Sequence, residues 1–150
     1  MKGLIITMLV LTLGLMACEN DSKQELEAQK VAQKNEAVFK NISKMWQFNF
    51  PTPRPEVDAT LDRWNEWRQF EIEMLQKPKS TLSAFQMKTK NLSSKADTLS
   101  ITIPFEYNKP QILSRITTLN TKLKSLETFL NLRIIPEQKI AKLIPEINEE

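Results

Sequence analysis

Few side chains in this sequence could carry out chemistry. The chain of 150 residues has no histidine, a single cysteine at Cys18, and two glycines at Gly3 and Gly14. Histidine is the commonest general base and the commonest ligand of transition metals. Its absence excludes catalytic sites with a histidine base and metal sites with histidine ligands. Because no glycine follows Cys18, phosphate-binding loops, dinucleotide-binding turns and nucleophile elbows are excluded from the rest of the chain.

The remaining candidates for catalysis are carboxylates, lysines, hydroxyl groups and the single tyrosine, Tyr107. No serine stands three residues before a lysine, which excludes the Ser-x-x-Lys arrangement that activates a serine without histidine. Carboxylates such as Glu66, Glu71 and Glu73 could hydrolyse a glycosidic bond, but such enzymes act in deep clefts. We therefore predict that the protein is not an enzyme, with a carboxylate hydrolase as the least favoured alternative, and we predict neither a cofactor nor a metal.

The context of Cys18 suggests a different use for its thiol. Lys2 is followed by an uncharged apolar run over residues 3–14, which is shorter than the roughly 20 residues needed to span a bilayer. A basic start, an apolar middle and a small residue before the cleavage point are typical of a secretory signal peptide. Residues 15–18 read Leu-Met-Ala-Cys and resemble the lipobox of bacterial lipoprotein precursors. The resemblance implies cleavage after residue 17 and acylation of the Cys18 sulfur.

A lipid on Cys18 would determine where the protein is located. Two or three acyl chains, such as palmitate, give a durable membrane anchor. Each CH₂ group that enters the bilayer stabilises membrane binding by about 0.8 kcal/mol. Residues 19–21 read Glu-Asn-Asp and resemble the export signals of surface lipoproteins in the Bacteroidetes. We therefore predict a lipid-anchored location in the cell envelope, on the outer membrane, the periplasmic side or the surface side, with the choice of membrane and leaflet left open. The alternatives are an uncleaved anchor helix and a buried structural cysteine.

The elements that must position any site are predicted to be helices. Proline-rich and polar stretches divide the chain into a signal peptide over residues 1–17, an acylated polar tether over 18–35 and a helical domain over 36–150. The predicted fold class is all-α, a four- to five-helix bundle with Pro-rich extended connections. Three prolines, Pro51, Pro53 and Pro55, predict an extended crossing between the first and second helices.

Apolar residues at helical spacing predict which positions are buried. The second helix, over 56–77, has Val57, Leu61, Trp64, Ile72 and Leu75 along one line, with Trp67, Phe70 and Met74 beside it. The third, capped by Ser80 or Thr81, has Leu82, Phe85, Leu92, Ala96 and Leu99. The fourth, from Pro110, has Ile112, Ile116, Leu119, Leu123, Leu126 and Leu130. A short last segment from Pro136, interrupted by Pro145, has Ile140, Leu143, Ile144 and Ile147.

Two connections complete this prediction. Residues 100–107 alternate apolar and polar side chains but contain Pro104, so we predict an extended crossover rather than a strand, with Ile101, Ile103 and Phe105 laid against the bundle. With no glycine available after Cys18, we expect Asn49 and Asn131 near helix C-termini.

Two groups of side chains are candidates for binding. Trp64 and Trp67, three residues apart, are predicted either to pack in the core or to form the floor of a groove with Arg68 at its rim. Residues 56–77 carry six acidic and three basic residues, whereas residues 78–135 carry nine basic and three acidic ones. The basic segment is interpreted either as solvated helix faces that pair with the acidic helix or as a binding surface formed by Lys88, Lys95, Arg115 and Lys122.

One short motif suggests a modification. Residues 97–99 read Asp-Thr-Leu and resemble the O-glycosylation acceptor of exported Bacteroidetes proteins. We expect this motif where the third helix gives way to the crossover.

The function that follows from these features is non-catalytic. The chain is identified as similar to uncharacterised exported lipoproteins, and its mature part resembles no family of known activity. We predict a membrane-anchored module that binds an envelope protein through a helix face or through the Pro-rich crossing. The alternative is a binder of a glycan or an anionic lipid at the aromatic and basic surface. Nucleic acid is not an expected partner, because the protein is exported and its net charge is only +3.

Overall fold

The computed structural model describes the backbone of residues 2–150 and the side chains of residues 22–150. The prediction of an all-α fold is confirmed, since the described backbone contains helices and connections and no strand. Cys18 and the predicted signal peptide lie outside the residues whose side chains are described. The helices are α1 (Lys2–Met45), α2 (Pro55–Arg63), α3 (Asn65–Leu75), α4 (Leu82–Thr102), α5 (Pro110–Leu130) and α6 (Glu137–Asn148), with a 3₁₀ turn at Phe105–Tyr107.

Backbone contacts divide the chain into two units, residues 1–37 and 38–150. In the first unit, the side chains of residues 22–37 are all exposed. Their helical conformation agrees with a composition rich in Glu, Gln, Lys and Ala, which are good helix formers. Within the part of the chain that the structure describes, no helix is both long enough and apolar enough to cross a membrane.

The second unit contains the hydrophobic core. Helix α4 packs against α3 and α5, α5 also packs against α6, and α2 packs against α3. Every residue of the predicted α4 stripe is buried, and so is the predicted α5 stripe from Ile116 to Leu130. Thr81 caps α4 as predicted, because its Oγ1 accepts a hydrogen bond from the N–H of Ala84 at 3.2 Å. The period of the apolar residues therefore predicted the two central helices correctly.

The Pro-rich crossing begins where α1 ends. Trp46, the first residue after α1, is buried, and its indole N–H donates to the carbonyl oxygen of Met74 at 3.3 Å. Its ring also meets Phe48 edge to face. The backbone N–H of Asn49 donates to Oδ1 of Asn148 at 2.8 Å. These contacts hold the non-helical segment of residues 46–54 against α3 and α6. Asn49 therefore stabilises the crossing and does not cap a helix, which was the prediction from the sequence.

The predicted second helix is two helices. The chain leaves the helical conformation at Trp64, with φ −88° and ψ 87°, and α3 begins at the next residue. Because α3 restarts with a new phase, the predicted stripe fails beyond the break: Ile72 and Leu75 are 53% and 54% exposed, whereas Phe70 and Met74 are buried. A single helical period over 56–77 was therefore a wrong prediction.

The predicted crossover over 100–107 is also wrong in part. Helix α4 continues to Thr102, where Pro104 forces Ile103 into an extended conformation and ends the helix. Ile103 packs against the core as expected, but Ile101 and Phe105 are 82% and 91% exposed. The alternating residues form the end of a helix and a 3₁₀ turn. In these conformations, every second side chain does not face the same side of the chain, so the alternation did not predict burial.

The C-terminal part of the chain closes the core. Asn131 caps α5 as predicted, and its backbone N–H donates to the carbonyl oxygen of Glu127 at 3.2 Å. Helix α6 continues past Pro145, which the sequence predicted to interrupt it. The predicted apolar positions of α6 are all buried: Ile140, Leu143, Ile144 and Ile147.

Candidate functional site

A cavity of about 660 Å³ lies in the second unit, beside the Pro-rich crossing. We call it the Pro-rich groove. Its walls are residues 48–54, one face each of α2 and α3, the 3₁₀ turn, and parts of α5 and α6. A volume of this size falls in the range of about 300–1,000 Å³ that is usual for ligand sites. It is the main candidate site of the described chain.

One wall of the groove is aromatic. The rings of Trp64 and Trp67 stack with centroids 6.0 Å apart and planes inclined by 27°. Phe50 meets the Trp67 ring edge to face at 6.0 Å. Trp64 is buried, and its indole N–H donates to Oγ1 of Thr102 at 3.0 Å. Trp67 is only half-buried. Trp64 therefore fits the prediction of a core residue, whereas Trp67 fits the prediction of a groove floor.

Another wall is aliphatic and comes from the two C-terminal helices. Ile112, Ile116 and Leu119 of α5 line the groove together with Ile147 of α6. The three α5 residues follow at intervals of four and three, so α5 presents a continuous apolar surface to the groove, and α6 adds Ile147. Tyr107 also lines the groove, and its hydroxyl group donates to the carbonyl oxygen of Val57 at 3.4 Å.

The rim of the groove bears charges of both signs. Its basic residues are Arg54, Arg68 and Arg115, and its acidic residues are Asp58, Asp62, Glu71 and Glu150. Arg115 is already engaged, because its Nη2 donates to the carbonyl oxygen of Glu149 at 2.6 Å and its Nε lies 3.6 Å from Oε2 of Glu150. No ion pair or side-chain hydrogen bond within the described residues involves Arg54, Arg68, Asp58, Asp62 or Glu71.

The predicted basic surface does not form one open patch. Nζ of Lys88 lies 2.6 Å from Oε1 of Glu73, and that of Lys122 lies 2.8 Å from Oε1 of Glu150. Lys95 donates to Oε1 of Gln69 at 3.2 Å. None of these three lysines lines the groove. Their bonds to α3 and to the C-terminal residues favour the alternative interpretation, in which the basic helices neutralise their neighbours.

Of the residues singled out in the sequence, Trp64, Trp67, Arg68 and Arg115 line the Pro-rich groove. Sequence reasoning missed Phe50, Arg54 and Tyr107 as groove residues. The three closely spaced prolines were the available signal for the first two, since an extended segment must lie over some other element. No pattern indicated that Tyr107 would turn towards α2.

The candidate carboxylates for hydrolysis are dispersed. Glu71 lines the Pro-rich groove, whereas Glu73 lines a second, shallower cavity with Lys88, and Glu66 lines neither of these two. In the described part of the chain, no group of three or more Cys, Asp or Glu side chains could hold a metal ion.

The Asp-Thr-Leu motif lies inside α4, three residues before its end, and not at the junction of helix and crossover where it was expected. Leu99 is buried. Asp97 accepts hydrogen bonds from Asn120 and from Lys124, the latter at 2.7 Å. The Oγ1 of Thr98, although exposed, donates to the carbonyl oxygen of Lys95 at 2.7 Å. The motif is therefore part of the contact between α4 and α5.

Comparison of the chain with protein-family models, with curated proteins and with solved structures finds no match in any of the three. The ligand-binding function proposed below is therefore inferred from the geometry of the Pro-rich groove.

Proposed function

We propose that this protein is a non-catalytic binding module, anchored in the cell envelope by lipid on Cys18, that holds a ligand in the Pro-rich groove. In this proposal, residues 1–17 are a cleaved signal peptide, residues 18–35 are a tether, and the remainder is a four- to five-helix bundle with Pro-rich connections. The observation that carries the proposal is the cavity of about 660 Å³ with one aromatic and one aliphatic wall. An apolar lining with a few polar groups at its rim is typical of ligand sites.

The groove supports this function better than the basic helices support binding to a charged surface. Lys88 and Lys122 are bonded to Glu73 and Glu150, and any partner that drew Lys88 away would leave the Glu73 carboxylate unpaired. The rim arginines Arg54 and Arg68 have no such internal partner within the described residues.

Ligand binding in the groove can be tested with a neutral hydrophobic dye. We expect the mature chain, residues 18–150 with Cys18→Ser, to bind N-phenylnaphthylamine and raise its fluorescence. Val57→Trp, which fills the groove from α2, should abolish this increase, whereas Lys124→Trp outside the groove should preserve it. Thermal unfolding of each variant confirms that it is folded. A dye signal equal in the wild type and in folded Val57→Trp would contradict the proposal.

The anchor is tested separately by mass spectrometry of the full chain recovered from bacterial membranes. We expect loss of residues 1–17 and an added mass of acyl groups on residue 18, and neither change in Cys18→Ser. An intact precursor with a free thiol at Cys18 would contradict the lipid anchor and leave the groove unaffected.

A protein partner is the second candidate function, and a specific observation favours it. Ile101 and Phe105, four residues apart in the chain, are 82% and 91% exposed, and exposed apolar side chains mark a contact site where they form one patch. A photo-cross-linking amino acid at position 105 of the anchored protein should give a discrete cross-linked product that the same amino acid at position 124 does not give. Equal products from both positions would remove this candidate.

A further inference from the structure

We propose that the ligand of the Pro-rich groove is an amphiphile with an acyl chain and a zwitterionic head group, whose two charges are a phosphate and a primary ammonium. This inference rests on the proposed function of the groove and names the class of its ligand. Two features of the groove indicate this class of ligand: its apolar walls and the unpaired charges at its rim.

The walls fit an acyl chain better than a sugar. Ile112, Ile116 and Leu119 form a surface without hydrogen-bonding side chains, and a buried sugar hydroxyl group without a partner there would cost free energy. One face of Trp67, the ring that a sugar would stack on, is already covered by Trp64. A flexible chain of CH₂ groups needs no hydrogen bonds and is stabilised by each group that it buries.

The rim charges distinguish this groove from the other charged sites of the second unit. Lys88, Lys122 and Lys124 each lie within 2.8 Å of a carboxylate oxygen. At the groove, Arg115 pairs with Glu150, but Arg54 and Arg68 form no ion pair among the described residues. Asp58, Asp62 and Glu71 likewise have no cationic partner there. Cations and anions that line one cavity without pairing to each other are available to a ligand with both signs of charge.

The positions of these charges follow from helical geometry. Arg54 is the N-cap of α2, and Asp58 and Asp62 follow at intervals of four residues, so the three lie along one face of that helix. On α3, Arg68 and Glu71 are three residues apart and share a face in the same way. Each helix therefore brings a cation and at least one anion to the rim.

A zwitterionic head group satisfies both sets of charges. The guanidinium groups of Arg54 and Arg68 can each donate two parallel hydrogen bonds to phosphate oxygens. The carboxylates of Asp58, Asp62 and Glu71 can accept hydrogen bonds from an ammonium group. A purely anionic head would be attracted by the first set and repelled by the second, so it should bind more weakly.

Displacement of N-phenylnaphthylamine from the mature chain tests the inference. The probes are palmitoyl lysophosphatidylethanolamine, palmitoyl lysophosphatidylglycerol, which has the same chain and phosphate but no ammonium, and glycerophosphoethanolamine, which has no chain. All three are used below the concentrations at which the lysolipids form micelles. We expect the ethanolamine lysolipid to displace the dye at about tenfold lower concentration than the glycerol lysolipid, equivalent to about 1.4 kcal/mol. The head group alone should not displace it.

Variants of exposed rim residues assign the two charges without disturbing the core. Arg54→Gln with Arg68→Gln should weaken both lysolipids by similar factors, because both contain the phosphate. Asp58→Asn with Asp62→Asn should reduce the preference for the ethanolamine lysolipid severalfold, because only Glu71 is then left to accept from the ammonium group. Lys124→Gln, which removes a charge outside the groove, is the matched control and should change neither.

The possible failures are distinct. Equal displacement by the two lysolipids overturns the zwitterionic head group, and a bound dye that neither lysolipid displaces overturns the amphiphile altogether. Both results leave the groove as a binding site. Absence of dye binding by the wild-type chain would instead contradict the proposed function itself.

Discussion

Lys88 and Glu73 form an ion pair that ties α4 to α3. The Lys88 side chain is only 11% exposed, and its Nζ donates both to Oε1 of Glu73 at 2.6 Å and to the carbonyl oxygen of the same residue at 3.1 Å. Lys88→Met would leave the Glu73 carboxylate largely buried without its partner, so we expect a loss of about 3 kcal/mol in the free energy of unfolding. Urea denaturation measures this loss.

Two matched variants make the interpretation of Lys88→Met specific. Adding Glu73→Leu to Lys88→Met should recover most of the lost stability, because two apolar side chains then replace two charges. Lys124→Met breaks the pair with Asp97, in which both side chains are about half-exposed, and should cost under about 1 kcal/mol. Equal losses in Lys88→Met and Lys124→Met would show that burial does not control the strength of these pairs.

Asp97 predicts a dependence of stability on pH. The hydrogen bond from Lys124, and next that from Asn120, lower the pKa of Asp97 in the folded protein below its ordinary value of 3.8. The carboxylate therefore stabilises the fold fully above that ordinary value, and this contribution is lost as the pH falls through the lowered folded-state pKa. Because Asp97 is half-exposed, we expect under about 1 kcal/mol.

The comparison of wild type with Asp97→Asn isolates this contribution. Urea denaturation at a series of pH values should give a stability difference that is constant near neutral pH and shrinks in acid below the ordinary pKa of aspartate. A difference that stayed constant down to the lowest pH, or grew there, would contradict the assigned hydrogen bonds.

At the scale of elements, a hydrogen bond to α4 holds the residue at the break between α2 and α3. The indole N–H of Trp64 donates to Oγ1 of Thr102 at 3.0 Å, in a partly buried position. Thr102→Val keeps the shape of the side chain but removes the acceptor, so the indole N–H loses its partner and stability should fall by about 1 kcal/mol. Thr98→Val is the control, since that hydroxyl group bonds only to its own helix. A similar effect of both substitutions would contradict a specific role of the Trp64 bond.

The elements also show how far sequence reasoning reached. The α4 and α5 stripes were predictable because each helix has one uninterrupted period and one buried face. The break at Trp64 was not, because the residue that bonds the Trp64 side chain, Thr102, is 38 residues away. For the site, Trp67 and Arg68 were found from local spacing. For Lys88, a binding surface and pairing with the acidic helix both stayed open, because one helix pattern contains no information about the Glu73 side chain on the neighbouring helix.

Phe105 illustrates the same limit and gives a prediction. Its apolar character suggested burial against the bundle, but the side chain is 91% exposed. Phe105→Ser should therefore change the free energy of unfolding by less than about 0.5 kcal/mol. Phe85→Ser, at a fully buried position of α4, is the comparison and should cost more than about 3 kcal/mol. A large loss in Phe105→Ser would place that side chain in a contact within the folded chain.

For the whole molecule, the division into residues 1–37 and 38–150 predicts that a chain beginning at residue 31 is as stable as one beginning at residue 22. The side chains of residues 22–37 are exposed, so the loss of residues 22–30 uncovers no core surface. Urea denaturation should show a change below about 0.5 kcal/mol and an unchanged denaturant slope. Deletion through residue 43 also removes Val38 and Ile42, both buried, and should cost more than about 3 kcal/mol. If the shorter deletion were as destabilising as the longer one, the fold that holds the Pro-rich groove would have to begin well before residue 38.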